Sequence, residues 1–191
     1  QFQDFWGSAL LGPAEALKGC RDEVTDMTMV FADFYPKQLP TFQLFRLFPR
    51  SPEKWENISW IYHQAFEQIP QFMDELEKWN QKLLMVTVGL PSGMAATYPI
   101  DGVEDIVGYK WRASSRWHLA TLEHIGAQAV SVPWNDVYMA LSTGTIDGVL
   151  TNYDGLHMMK FYEAAQNILV GPQLWWATPF LHTINIDVWN S

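Results

Sequence analysis

The chain has 191 residues, of which 48% are hydrophobic and 17% charged, a composition that builds a packed core and excludes a disordered segment. Twelve Lys plus Arg against 21 Asp plus Glu leave a net charge of −9, and no basic stripe interrupts it. A nucleic-acid partner is therefore excluded, while a local pocket can still take an anion. No apolar run approaches the ~20 residues that span a bilayer. The one cysteine, Cys20, excludes an intrachain disulfide and a cysteine-based zinc cluster and reads as a small buried hydrophobe.

In chain order, residues 14–24 predict a short helix weakened by Gly19, and the alternation over 26–32 predicts a strand. A Pro-rich aromatic stretch from Phe34 to Pro49 reads as a loop. Ser51-Pro52-Glu53 is a helix start, with a capping Ser, a first-turn Pro and an acidic residue at the positive end of the dipole. That helix is expected to reach about Gln68, and Pro70 restarts a second one to about Trp79. Residues 82–89 read as a buried strand. Residues 89–99, GLPSGMAATYP, are rich in Gly, Pro and small side chains and predict a hinge crossing.

The pattern then becomes regular. Strands are expected at 109–112, 129–132 and 146–151. Helices are expected at 115–125, closed by Gly126, and at 133–142, with Gly144 just beyond. Strand, helix, strand, helix, strand with short links implies parallel pairing and right-handed crossovers. A helix over 154–166 and a strand over 181–188 complete the reading.

Ligands of open α/β sheets bind beyond the carboxyl ends of parallel strands. Arg112 ends the first of these strands, Thr151 ends the third, and Trp134 follows the second within two residues. A guanidinium fork, a hydroxyl and an aromatic face suit a small organic acid. On spacing alone, a surface Arg, a helix-capping Thr and a core Trp stand beside that reading. Enzyme signatures are missing. His63, His118, His124, His157 and His182 form no HExxH pattern and read as ordinary helix or strand residues. There is no GxSxG elbow, P-loop or GxGxxG. The acidic pairs Asp74-Glu75 and Glu104-Asp105 read as solvated faces.

Residues 108–155 resemble the substrate-binding proteins of TRAP transporters, the DctP-like family. The likeness rests on Gly108-Tyr109-Lys110-Trp111-Arg112, on the turn Ile125-Gly126-Ala127, and on the long block from Trp134 through Gly148. Leu11-Gly12, Val24-Thr25-Asp26-Met27 and the Pro-rich loop after them resemble the family's first lobe.

The resemblance implies an α/β, two-lobed fold of the type II periplasmic binding protein kind, here without the family's first strand and helix and its C-terminal helix. It implies a first lobe over 1–88, a hinge crossing at 89–99, a second lobe over 100–180 and a strand over 181–191 crossing back. It implies an extracytoplasmic, periplasmic receptor without catalysis, cofactor or metal, which passes a carboxylate to a membrane permease. By position, Arg112 matches the arginine that binds the ligand carboxylate, Trp134 a frequent aromatic contact, and Thr151 and Asn152 polar pocket residues. Phe34 belongs to the expected first-lobe wall. Ser92 lies in the segment where sialic-acid binders carry a second arginine, and they also continue D-G-Q-E-N-P where this chain has Asp147-Gly148-Val149-Leu150-Thr151-Asn152. Both departures argue against a sialic acid ligand. Trp175-Trp176 resembles a tryptophan pair of members that bind 2-oxo acids. The alternatives are the binding protein of an ATP-driven importer and a doubly wound α/β enzyme.

Overall fold

A computed structural model describes residues 3–171 and 173–191. In chain order the elements are α1 (Ala16–Arg21), β1 (Met27–Phe31), α2 (Trp55–Gln68), α3 (Pro70–Glu77), β2 (Gln81–Val88), β3 (Ser92–Ala96), β4 (Lys110–Arg112) and α4 (Arg116–Ile125). There follow β5 (Gln128–Val130), α5 (Val137–Ser142), β6 (Gly148–Asn152), α6 (Tyr153–Met158), α7 (Phe161–Ala164), β7 (Asn167–Val170), β8 (Pro179–Asn185) and α8 (Ile186–Asn190). The chain divides into two compact units. One holds residues 1–44, 59–88 and 179–191, and the other holds 45–58 and 89–178.

The first unit is built on an antiparallel sheet in the order β1-β8-β2. Along β8, Leu181, Thr183 and Asn185 are buried while Phe180, His182 and Ile184 between them are partly exposed, the two-residue period of a strand covered on one face. The expectation that β2 is wholly buried is corrected here. Its outer positions Lys82, Leu84, Met85 and Thr87 are exposed, and a bulge between Leu83 and Met85 shifts its register against β8. Helix α1 closes the inner face through buried Leu17 and Cys20, and polar groups lock it there. Gln81 donates to the Leu17 carbonyl at 2.6 Å and Asn185 to the Cys20 carbonyl at 2.9 Å. Phe42, Phe66 and Phe72 form an aromatic cluster with ring centres 4.7–5.2 Å apart.

Glu75 is not on a solvated face. It is buried and accepts from the Thr41 backbone N–H at 2.9 Å as well as from the Thr41 hydroxyl. Burial pushes the Cys20 thiol up to about 11, as expected for a small core residue. We expect iodoacetamide at pH 8 to leave Cys20 unmodified in the native chain and to alkylate it fully in urea, because only the thiolate reacts.

The second unit carries a five-stranded sheet in the order β5-β4-β6-β3-β7. The expected parallel pairings of β4 with β5 and of β4 with β6 are present. Helix α4 starts where Ser115 accepts from the Trp117 N–H at 3.2 Å and ends at Gly126 in the left-handed region (φ 108°). It covers one sheet face, where Trp111, Met94, Ala96, Leu122 and Leu150 pack together. The other face holds Ala95, Val149, Val137, Leu141 and Phe161 beneath α5, α6 and α7.

Two expectations change in this unit, the grouping of residues 45–58 and the helix over 154–166. Within the segment expected to form a hinge crossing, residues 92–96 form β3, a fully buried strand antiparallel to both β6 and β7. Its small side chains admit close neighbours: a Cβ on Gly93 would lie 2.4 Å from the Tyr153 ring. Residues 45–58 group with this unit and not with the rest of 1–88. Arg46 is buried here, donating to the Trp176 carbonyl at 2.6 Å and to the Thr178 hydroxyl at 2.8 Å. The helix expected over 154–166 breaks at Lys160, whose φ of 54° ends one helical turn and starts another.

Candidate functional site

Parallel strands β4, β5 and β6 end at Arg112, Val130 and Asn152 on one edge of the second unit's sheet. Arg112 pairs in register with Val149, so both point to the face under α5–α7, and Thr151, two residues on, points the same way. Lys110, at the start of β4, is anchored by its N–H donating to the Asp147 carboxylate at 2.8 Å.

Arg112 is 1% exposed. Its Nε donates to the Val132 carbonyl at 3.1 Å, its guanidinium carbon lies 5.4 Å from the centre of the Trp134 ring, and its Nη1 has no hydrogen-bond partner. Among the described residues no carboxylate pairs with it. Burial pushes its pKa down to about 10, so the group still carries its charge at neutral pH. A buried cation with a spare donor is the arrangement that an incoming anion completes.

Trp134 follows β5 on a 3-10 turn. Its half-buried ring meets Phe161 edge-on, with centres 5.2 Å apart at 72°. Gly155 draws the remaining residues in. A Cβ at that position would sit 2.9 Å from Trp134 Cη2, 3.2 Å from Thr151 Oγ1 and 3.3 Å from Asn152 Oδ1. The Thr151 hydroxyl donates to Asn152 Oδ1 at 3.1 Å, and the Asn152 amide donates to the Asp154 carboxylate. Trp134, Thr151 and Asn152 therefore gather at Gly155, and the Trp134 ring also faces Arg112.

Ser92 is buried at the same sheet edge, paired in register with Asn152. Trp175 and Trp176, in the same unit, do not join this cluster. Trp175 is buried in the cluster under α4, its ring 5.1 Å from that of His118, and holds a left-handed backbone (φ 56°). Trp176 packs its ring 5.0 Å from that of Phe45. Phe34 lies in the first unit on a 3-10 turn after β1, 5.1 Å from the Phe31 ring. Asp154 and Gly155 were missed, although a polar Asn-Tyr-Asp-Gly run directly after a strand is the signal for them. His118, on α4, is buried, and desolvation together with the nearby Arg46 charge holds its pKa well below the usual imidazole value.

Trp134 is expected to act as a wall of this site. Trp134→Ala should weaken acid binding measured by calorimetry more than it lowers the melting temperature. A pure core role would instead cost about 3–5 kcal/mol of stability and leave residual binding intact.

The whole chain, residues 1–191, matches the family described as bacterial extracellular solute-binding protein, family 7 (DctP). A solute-binding protein of Albidiferax ferrireducens is 24% identical over 173 residues, covering 90% of this chain and 50% of that protein. Among solved structures, a marine metagenome TRAP solute-binding protein specific for aromatic acid ligands, in complex with metahydroxyphenylacetate, superposes with a TM-score of 0.84 at 26% identity. It covers 96% of this chain and 57% of its own. A Bordetella pertussis extracytoplasmic solute receptor binding pyroglutamic acid shares the fold, with a TM-score of 0.83 at 22% identity over 96% of this chain and 59% of that one. The chain thus spans about half the length of these relatives. No helix among the described residues is long and apolar enough to cross a membrane. With a match along its entire length and a mixed α/β fold shared with TRAP receptors, the chain belongs to the DctP family of bacterial extracellular solute-binding proteins.

Proposed function

We propose that this protein is the extracytoplasmic receptor of a TRAP transporter, which holds a small organic acid through Arg112 and hands it to the membrane permease without chemical change. The observation that carries this reading is the buried Arg112 guanidinium with a spare Nη1 donor and no carboxylate beside it. Such a charge is costly unless a partner arrives, and a ligand carboxylate meets it with two parallel hydrogen bonds. Trp134 supplies a face for the carbon skeleton, and Thr151 and Asn152 supply polar contacts. The acids named for the related structures, metahydroxyphenylacetate and pyroglutamic acid, are consistent with such a clamp.

The test is a thermal-shift screen with matched acid and amide pairs, such as benzoate with benzamide and lactate with lactamide. A bound acid at 100 times its Kd stabilises by about 2.7 kcal/mol, and its amide should give no shift. Equal shifts from an acid and its amide would refute the carboxylate clamp.

A further inference from the structure

We infer that the preferred ligand carries a hydrogen-bond donor, a hydroxyl or an N–H, within one or two bonds of its carboxylate, so that a 2-hydroxy acid is taken over the matching 2-oxo acid. The inference rests on the reading of Arg112 as the carboxylate clamp and adds to it what Thr151 can and cannot offer.

The reasoning runs inward from Asp154. Its carboxylate accepts hydrogen bonds and donates none. The Asn152 amide nitrogen faces it, and turning that amide over would set oxygen against oxygen, so the orientation is fixed. Asn152 Oδ1 then faces Thr151 Oγ1 at 3.1 Å. An amide oxygen only accepts, so the single hydroxyl proton of Thr151 is committed to it. What Thr151 keeps for a ligand is lone pairs alone.

Position makes this decisive. Thr151 lies on the Arg112 face of the sheet, two residues beyond the register partner of Arg112. Trp134 approaches both: its Cη2 and Thr151 Oγ1 lie 2.9 and 3.2 Å from one point over Gly155, and its ring centre is 5.4 Å from the Arg112 guanidinium carbon. A substituent that extends from a carboxylate on Arg112 along this shared face to Thr151 meets an acceptor. A hydroxyl or N–H donates to it. A ketone oxygen, itself only an acceptor, leaves both groups unpaired and repelling.

The experiment is calorimetric titration of the chain with lactate and pyruvate, mandelate and phenylglyoxylate, and 2-hydroxyglutarate and 2-oxoglutarate. In the pair that fits the site best, the hydroxy acid should bind about 10-fold tighter or more, since a site built to pair with a hydroxyl rejects the analogue lacking that donor. Thr151→Val should close the gap between the two members, weakening the hydroxy acid and relieving the oxo acid of the oxygen that repels it. Thr151→Ser, which keeps the oxygen, should retain the preference. Asp154→Asn, which frees the relay to reorient, should shrink it. Equal binding of both members, each lost in Arg112→Ala, would overturn the donor requirement while leaving the carboxylate clamp standing. A preference that survives Thr151→Val would overturn it as well. A panel in which no acid binds would overturn the clamp, and this inference with it.

Discussion

Arg112→Ala should lower the affinity for a carboxylate ligand by about 30-fold to several thousand-fold, because truncating one partner of a buried charged pair costs roughly 2–5 kcal/mol. Arg112→Lys should recover little of that loss, since an ammonium keeps the charge but lacks the planar fork. Stability measured without ligand should move in the opposite sense. Within the protein, Arg112 is buried with one carbonyl bond, an aromatic face and no counter-charge. Arg112→Met, which keeps much of the volume and removes the desolvated charge, should melt at the same or a higher temperature without ligand. Calorimetric binding and thermal melting on one set of variants read both signs. An Arg112→Ala protein that binds as tightly as the parent would remove the clamp. A strongly destabilised Arg112→Met would mean that the guanidinium serves the fold instead.

The largest stability effect should come from Trp111, which is fully buried at the centre of the cluster under α4. Trp111→Ala should cost about 3–5 kcal/mol. Its indole N–H donates to the Tyr98 hydroxyl at 2.9 Å, and its six-membered ring fills the space beside Gly148, where a Cβ would lie 2.5 Å from Cζ2. Gly148→Ala alone should therefore cost about 1–3 kcal/mol by overpacking. In the double variant the added methyl meets no ring. The two costs should then fall short of adding, by about 0.5–3 kcal/mol. Urea unfolding of the four proteins measures the cycle, and strict additivity would show that the ring and the glycine do not share this contact.

The part of the molecule that could be read in the sequence is the part governed by local rules. Ser115 and Gly126 bracket α4 because a hydroxyl caps a helix start and a glycine tolerates the left-handed end. Short links between strands and helices dictated parallel β4, β5 and β6, and that geometry placed Arg112 and Thr151 at one edge. What escaped depends on distant partners. Small residues at 92–96 signal a segment that neighbours can approach closely but do not name those neighbours, which are the Tyr153 ring and strands β6 and β7. Arg46, a lone charge in an aromatic run, finds its carbonyl and hydroxyl partners 130 and 132 residues away. The tryptophans at 175 and 176 resemble a ligand-binding pair of other family members, yet one ring is buried beside His118 and the other packs on Phe45. The role of Asn152 depends on Asp154, and a pattern match to single positions does not show such a relay.

The strand order β1-β8-β2 has a consequence for how the protein is made. The first unit's central strand comes from residues 179–185, and its two flanking strands come from residues 27–31 and 81–88. On a ribosome, β1 and β2 emerge early, separated by the width of a strand that does not yet exist. Neither can take its place in this sheet until residues 179–185 have been synthesised. Such long-range closure is slow compared with local helix formation, so the nascent polypeptide stays without this sheet until β8 has emerged. Were the chain exported, as the proposed function implies, late closure would keep it threadable through a translocation channel until Pro179–Asn185 arrives on the far side.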